Sequence, residues 1–128
     1  MSPLLTATLI ALGSALGGLG RFALNQAVTA RTDSLFPWGI LLVNVLGCLA
    51  IGICYGVSDR DWVRYFVMTG ILGGFTTFSA FSLDSFKLAE AGRWGQAGGY
   101  VALSLATCLV AVWLGVLVGR AMRGVGPA

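Results

Sequence analysis

The run Ser34–Ser58, SLFPWGILLVNVLGCLAIGICYGVS, carries no charged residue, and it decides the fold class. A helix needs roughly 20 predominantly apolar residues, at about 1.5 Å each, to cross the hydrocarbon core of a bilayer. Three further stretches meet that requirement: Met1–Gly20, continued after Arg21 by Phe22–Ala30; Tyr65–Leu83; and Trp94–Gly119. Hydrophobic residues make up 57% of the 128 and charged residues 10%, with a mean hydropathy of +0.87. A water-soluble domain carries about a quarter charged residues, so this chain has too few to keep a surface wet. The sequence therefore predicts one all-α integral membrane domain over residues 1–128. Its four transmembrane helices are expected at about 4–30, 36–57, 62–90 and 95–120, the third broken near 73–79.

Local signals agree with these spans. Trp38, Trp62 and Trp94 fall near predicted helix starts, where an interfacial indole is expected. Pro37 suits a first helical turn, and Asp59 or Asp61 is placed to cap the third helix. No basic segment precedes the first span, so a cleaved signal peptide is not expected.

Composition also removes several function classes. The net charge of +3 comes from eight scattered bases, which make no stripe for tracking phosphates, so nucleic acid is not an expected partner. Histidine is absent, and with it the commonest general base and metal ligand. Cys48, Cys54 and Cys108 stand singly in apolar runs without metal-ligand spacing, and they read as small buried residues. No nucleophile–base pair accompanies Asp84 or Glu90, and no phosphate-binding loop is present, so an enzyme is not expected.

Orientation is unusually balanced. With four spans, Arg60, Arg64, Arg120 and Arg123 lie on one side, and Arg21, Arg31, Lys87 and Arg93 on the other. Four against four leaves the positive-inside rule nothing to act on. Either the balance is incidental or the chain inserts both ways up and pairs as an antiparallel, dual-topology homodimer. Glycines spaced GxxxG support close helix contact: Gly13/Gly17, Gly52/Gly56, Gly95/Gly99 and Gly115/Gly119. Packing within one subunit explains such pairs equally well.

The third span contains GILGGFTTFSAFS, Gly70–Ser82. Adjacent glycines followed by two β-branched threonines make a poor helix interior. Irregular backbone at membrane depth is tolerated only when buried in protein or lining a wet cavity. Loosened carbonyls in broken spans hold cations, whereas half-helix N-termini face anions. The cluster Thr76, Thr77, Ser79 and Ser82 favours a functional break over an intact helix packed through its glycines.

GGFTTFSAF, Gly73–Phe81, resembles the GGxTTFSxF signature of the Fluc family of fluoride channels. GGLGR at Gly17–Arg21 and PWGILLVN at Pro37–Asn44 fall where that family has related motifs, and the similarity extends over essentially the whole chain. The resemblance implies an antiparallel homodimer in a bacterial inner membrane, with two fluoride pores and a central structural sodium ion. Gly73 and Thr76 match the positions whose backbone carbonyls bind that sodium. On this view Gly73 matters because glycine permits the required backbone.

The residues also have readings of their own. Asn44 offers two amide donors to an anion or an ordinary interhelical hydrogen bond; the resemblance makes it a pore residue. Phe78 and Phe81, three apart, share a helix face, and a ring edge is electropositive. As a bare pattern they pack; by resemblance they line the pore. Thr77 and Ser79 could donate hydroxyls near the break or bond their own helix carbonyls. Tyr100, Ser104 and Cys108 recur every four residues with Thr107 at their flank, which reads as a polar track along the pore or a polar helix contact; the family often has hydroxyls along this face, so Cys108 is a departure. Asp84 stands where relatives commonly have Glu. Arg21 is either a snorkelling anchor or, by resemblance, a vestibule residue that attracts anions.

The competing function is a small multidrug-type exporter that couples protons to organic cations. It needs a carboxylate inside the membrane, and the first acidic residue is Asp33, in a loop. Passive export of cytoplasmic fluoride, conferring fluoride resistance, is the stronger expectation.

Overall fold

The computed structural model describes residues 1–124. Among them every regular element is a helix: α1 (Pro3–Thr29), α2 (Trp38–Val57), a π-helix (Val63–Leu72), α3 (Gly73–Phe75), α4 (Phe78–Glu90) and α5 (Trp94–Arg123). Four helical segments are long and apolar enough to cross a membrane: Pro3–Thr29, Trp38–Val57, Val63–Glu90 and Trp94–Arg123.

Each terminus has a local cause. Ser2 caps α1 by accepting from Leu5 N, with Pro3 as the first helical residue. Pro37 is the N-cap of α2 and not a member of its first turn. Neither Asp59 nor Asp61 caps the third span, whose flanking residue Trp62 makes no side-chain cap. Asp59 instead pairs with Arg123 at 2.6 Å, tying the loop after α2 to the end of α5. The Arg123 guanidinium holds the Asp59 carboxyl below the usual carboxylate range. That contribution is present above the ordinary carboxylate pKa and disappears as pH falls through the lowered one; both groups are solvated, so it is small.

Two pairs of helices form the body. α1 packs on the π-helix and α3, α2 packs on α5, and α1 meets α2 between the pairs. Glycine makes both seams possible. A Cβ on Gly13 would lie 2.5 Å from Phe66 O, and one on Gly56 would lie 2.7 Å from both Val116 O and Arg120 N. Gly52 and Gly56 face Gly115 and Gly119 across the α2–α5 seam. Three of the GxxxG pairs are thus occupied within one subunit, whereas Gly95 and Gly99 meet nothing. Within a bilayer such contact, rather than water exclusion, drives helix association.

α4 lies apart. Its described residues touch α5 and α2 and no other helix. Phe81 and Leu88 bury against Ile40, Leu41, Ala97 and Tyr100. The chain exposes 7717 Å², against about 6,500 Å² for a compact monomer of its mass. Exposed apolar side chains such as Leu19, Phe22, Phe78, Leu109 and Trp113 account for much of that area.

Gly74 is the glycine at the break that cannot carry a side chain, because its Cβ would lie 2.5 Å from Ser14 O and 2.8 Å from Ser14 Cα. Gly73 has ordinary helical dihedrals (φ −64°, ψ −38°), and its Cβ would meet only Met68 O at 3.7 Å. The expectation that glycine at 73 is needed for its own backbone conformation is therefore corrected: the steric requirement sits one residue later. Gly74→Ala is expected to destabilise by about 1–3 kcal/mol through overpacking, and Gly73→Ala to be neutral or slightly stabilising. Thermal unfolding of both variants in detergent checks this; equal midpoints would refute it.

Candidate functional site

The third span changes course at two residues. Thr76 (φ −78°, ψ 154°) and Thr77 (φ −150°, ψ 122°) are extended, between α3 and α4. Extended residues cannot continue the i→i−4 ladder, so main-chain groups on either side lose their partners. Asn44, in α2, replaces two of these bonds. Its Oδ1 accepts from Thr77 N at 2.8 Å, and its Nδ2 donates to Thr77 O at 3.0 Å. One amide thus mimics a neighbouring backbone, leaving one N–H of Nδ2 over. Thr77 itself is buried, and its Oγ1 accepts from Ala80 N at 3.1 Å, capping α4, with Ser79 Oγ 3.3 Å away.

The carbonyl side of the break is looser. Thr76 N and Thr76 Oγ1 both donate to Leu72 O, at 3.0 and 2.9 Å. The Thr77 N–H, which a continuous helix would direct to Gly73 O, is committed to Asn44. Gly47 provides room for this turn, since a Cβ there would collide with the Thr76 methyl.

Beside the break runs an open cleft of about 220 Å³, lined by Asn44, Cys48, Thr76, Thr77, Phe78, Phe81, Ser104, Leu105 and Cys108. No lining residue is charged. α2 contributes the amide, the third span its threonines and phenylalanines, and α5 a hydroxyl and a thiol. Phe78 and Phe81 have ring centroids 5.4 Å apart at 45°, but their settings differ. Phe81 is 8% exposed and stacks obliquely on Tyr100 at 5.2 Å, whereas Phe78 is 74% exposed. Phe36 meets Tyr100 edge-on at 5.4 Å, completing the aromatic floor.

Two buried hydroxyls near this floor have no protein partner among the described residues: Tyr100 OH and Ser104 Oγ. Tyr100 is fully buried and Ser104 is 5% exposed. A buried polar atom without a hydrogen bond costs about 1–3 kcal/mol, so each of these hydroxyls has an unmet donor. By contrast, Thr107 Oγ1 is spent on Leu103 O at 2.6 Å, and Ser82 Oγ on Phe78 O at 2.9 Å.

The structure thus brings Asn44, Thr76, Thr77, Phe78, Phe81, Ser104 and Cys108 to one cleft, with Tyr100 against its wall. Ser79 is exposed beside it, bonded only to Thr77 Oγ1. Gly73 is exposed on the opposite side of the break. Arg21 is half-buried in α1, one turn past Gly17, which packs on Ile71 and Phe75. It lies about 12 Å from the end of α1, and Asn44 about 9 Å from the start of α2, so the two are at similar depth. Sequence reasoning missed Cys48 as a lining residue, although its place one turn after Asn44 on the same helix face was readable. It also missed the π-helix and the part played by Gly47 and Gly74, which depend on what the neighbouring helix presents.

A four-span membrane protein with an uncharged, donor-bearing cleft at a backbone break is the class that these features define. The family described as CrcB-like protein, Camphor Resistance (CrcB), matches residues 8–116. The chain belongs to this CrcB-like family. Relatives named fluoride-specific ion channel FluC include a protein of Opitutus terrae, 52% identical over 83% of this chain and 86% of the relative. Others come from Methylocella silvestris, 44% identical over 89% and 92%, and Paramagnetospirillum magneticum, 46% identical over 88% and 93%.

Asn44→Asp keeps the acceptor for Thr77 N but loses the donor to Thr77 O and brings a charge into an apolar setting. A destabilisation of about 1–3 kcal/mol is expected from the unpaired carbonyl alone. A thermal midpoint equal to that of the unmodified protein would show that the pairing contributes nothing.

Proposed function

We propose that the chain forms a passive, fluoride-selective channel in which the uncharged cleft is the anion path. The observation that carries this reading is that Ser104, whose buried hydroxyl has no partner among the described residues, lines one uncharged cleft with the Asn44 amide and the rings of Phe78 and Phe81, while Tyr100, its hydroxyl likewise unpartnered, stacks on Phe81. Fluoride is small and strongly hydrated, so a selective path must supply donors in place of water. Hydroxyl and amide donors and positive ring edges do so without a full charge that would hold the ion too tightly. Ser79 and Thr77 extend the hydroxyl supply near the α4 start. Arg21, within α1 at the depth of Asn44, raises the potential for anions entering from that side.

The multidrug-type alternative lacks its essential group. Proton-coupled export of cations needs a carboxylate in the path, and none lines the cleft. The names of the relatives favour fluoride in the same direction.

Assembly as an antiparallel, dual-topology homodimer with two pores is part of the proposal. It is supported by the even division of basic residues, by Phe78 left 74% exposed at the cleft edge, and by the excess surface of the single chain. A second copy would lay further rings beside each Phe78. Sodium fits as a structural ion at the centre. Gly73 O and Thr76 O have no ladder partner across the break, and such carbonyls suit a hard cation. Two from each copy would give four oxygen ligands, and the ion would hold the two breaks together without being transported.

In a bacterial inner membrane this channel would let fluoride, delivered as HF and ionised inside, leave down its electrical gradient. At −100 mV the field supplies about 2.3 kcal/mol per charge, an equilibrium ratio of about 50-fold. The test is fluoride efflux from liposomes containing the purified protein, with valinomycin to balance charge and chloride as the control. Rapid fluoride loss with negligible chloride loss is expected, and Phe81→Ile is expected to abolish it. No fluoride loss from folded protein supplied with sodium would reject the reading.

A further inference from the structure

The α2–α5 seam places two thiols in the lining of one cleft. Gly52 meets Gly115 and Gly56 meets Gly119, so the helices run parallel with residue i of α2 beside residue i + 63 of α5 (115 − 52 and 119 − 56). Cys48 then stands level with Ala111, and Cys108 level with Val45, between Asn44 and Cys48. The axial offset between the thiols is three residues, about 4.5 Å, which two one-carbon side chains on touching helices bridge. Both line the cleft and both are half-buried.

We propose that Cys48 and Cys108 form a two-thiolate site for a soft, linearly coordinating divalent cation, with mercuric ion as its best fit. No cluster of three or more His, Cys, Asp and Glu ligands occurs among the described residues. Zinc in a structural site takes four ligands, so a lone thiol pair selects against it, and thiolate softness excludes calcium and magnesium. Charge selects further. Binding replaces two S–H bonds by two Hg–S bonds and releases two protons, so the bound unit is neutral. A monovalent ion such as Ag⁺ would leave one net negative charge in a cleft that has no cationic lining residue, at a desolvation cost. Cys54 takes no part: it lies in a separate hollow with Val57, Trp62 and Val63.

The site stands on the two thiols alone. Its consequence, that the bound metal plugs the cleft and stops flux, rests on the channel reading above. In a Cys54→Ser background in detergent, titration with HgCl₂ should give one metal per chain, a near-ultraviolet thiolate-to-mercury absorbance and loss of two titratable thiols. Cys48→Ser and Cys108→Ser should each weaken binding by roughly 100-fold or more, the gain that a second tethered donor supplies. Excess zinc should not compete. Two mercury ions per chain, or affinity unchanged in both serine variants, would overturn the site. In liposomes, fluoride efflux should fall in step with metal occupancy. One bound metal with undiminished efflux would leave the site standing and remove the cleft from the transport path. Absent efflux before any metal is added would reject the channel while leaving the absorbance result intact.

Discussion

The reciprocal pairing of Asn44 with the main chain of Thr77 is the interaction on which the rest depends. A bilayer interior has no water to satisfy freed amides and carbonyls, so a helix can open there only if protein supplies the missing partners. A primary amide is the one neutral side chain that presents a donor and an acceptor side by side. It therefore stands in for a peptide group, at 2.8 and 3.0 Å. Asparagine reaches Thr77 from α2 because Gly47, one turn away, lets Thr76 come close.

Opening the span at that point redirects it. Before the break the π-helix and α3 follow α1; after it α4 lies against α5 and α2. The detour brings Phe81 onto Tyr100 and creates the cleft between the break and α5. The same two extended residues thus free the backbone groups, divide the packing and form the candidate path. Thr77 supports all three: its main chain pairs with Asn44, and its hydroxyl caps α4.

The chemistry of the cleft follows from what it lacks. A fixed positive charge in a low-dielectric setting would attract an anion by many kcal/mol, enough to bind it and prevent its release. Hydroxyls, an amide N–H and ring edges each contribute far less, and several in a row can hand an ion along. The charged residues lie elsewhere, in the loops and terminal turns, apart from Arg21 within α1 and Asp84 and Lys87 on α4. In the sequence the basic residues among them divide evenly between the two sides, so the positive-inside rule has no excess to act on.

Four apolar spans and an all-helical fold were legible in the sequence, because hydropathy and charge act over whole segments and need no partner. The polar residues of the third span were legible as misfits, since Gly-Gly and Thr-Thr are poor helix interior whatever surrounds them. Their individual roles were not. Gly74 and not Gly73 is sterically required because Ser14 of α1 happens to lie against it. Cys48 and Cys108 line the same cleft because two glycine pairs set the register of α2 on α5. Asn44 bonds Thr77, 33 residues away, and the same sequence allowed it an ordinary interhelical bond. Sequence by itself determined which segments enter the membrane, a matter of solvation residue by residue. Which polar atoms are paired and which are left without a protein partner was decided only by tertiary packing, because a hydrogen bond depends on positions that distant parts of the chain supply together.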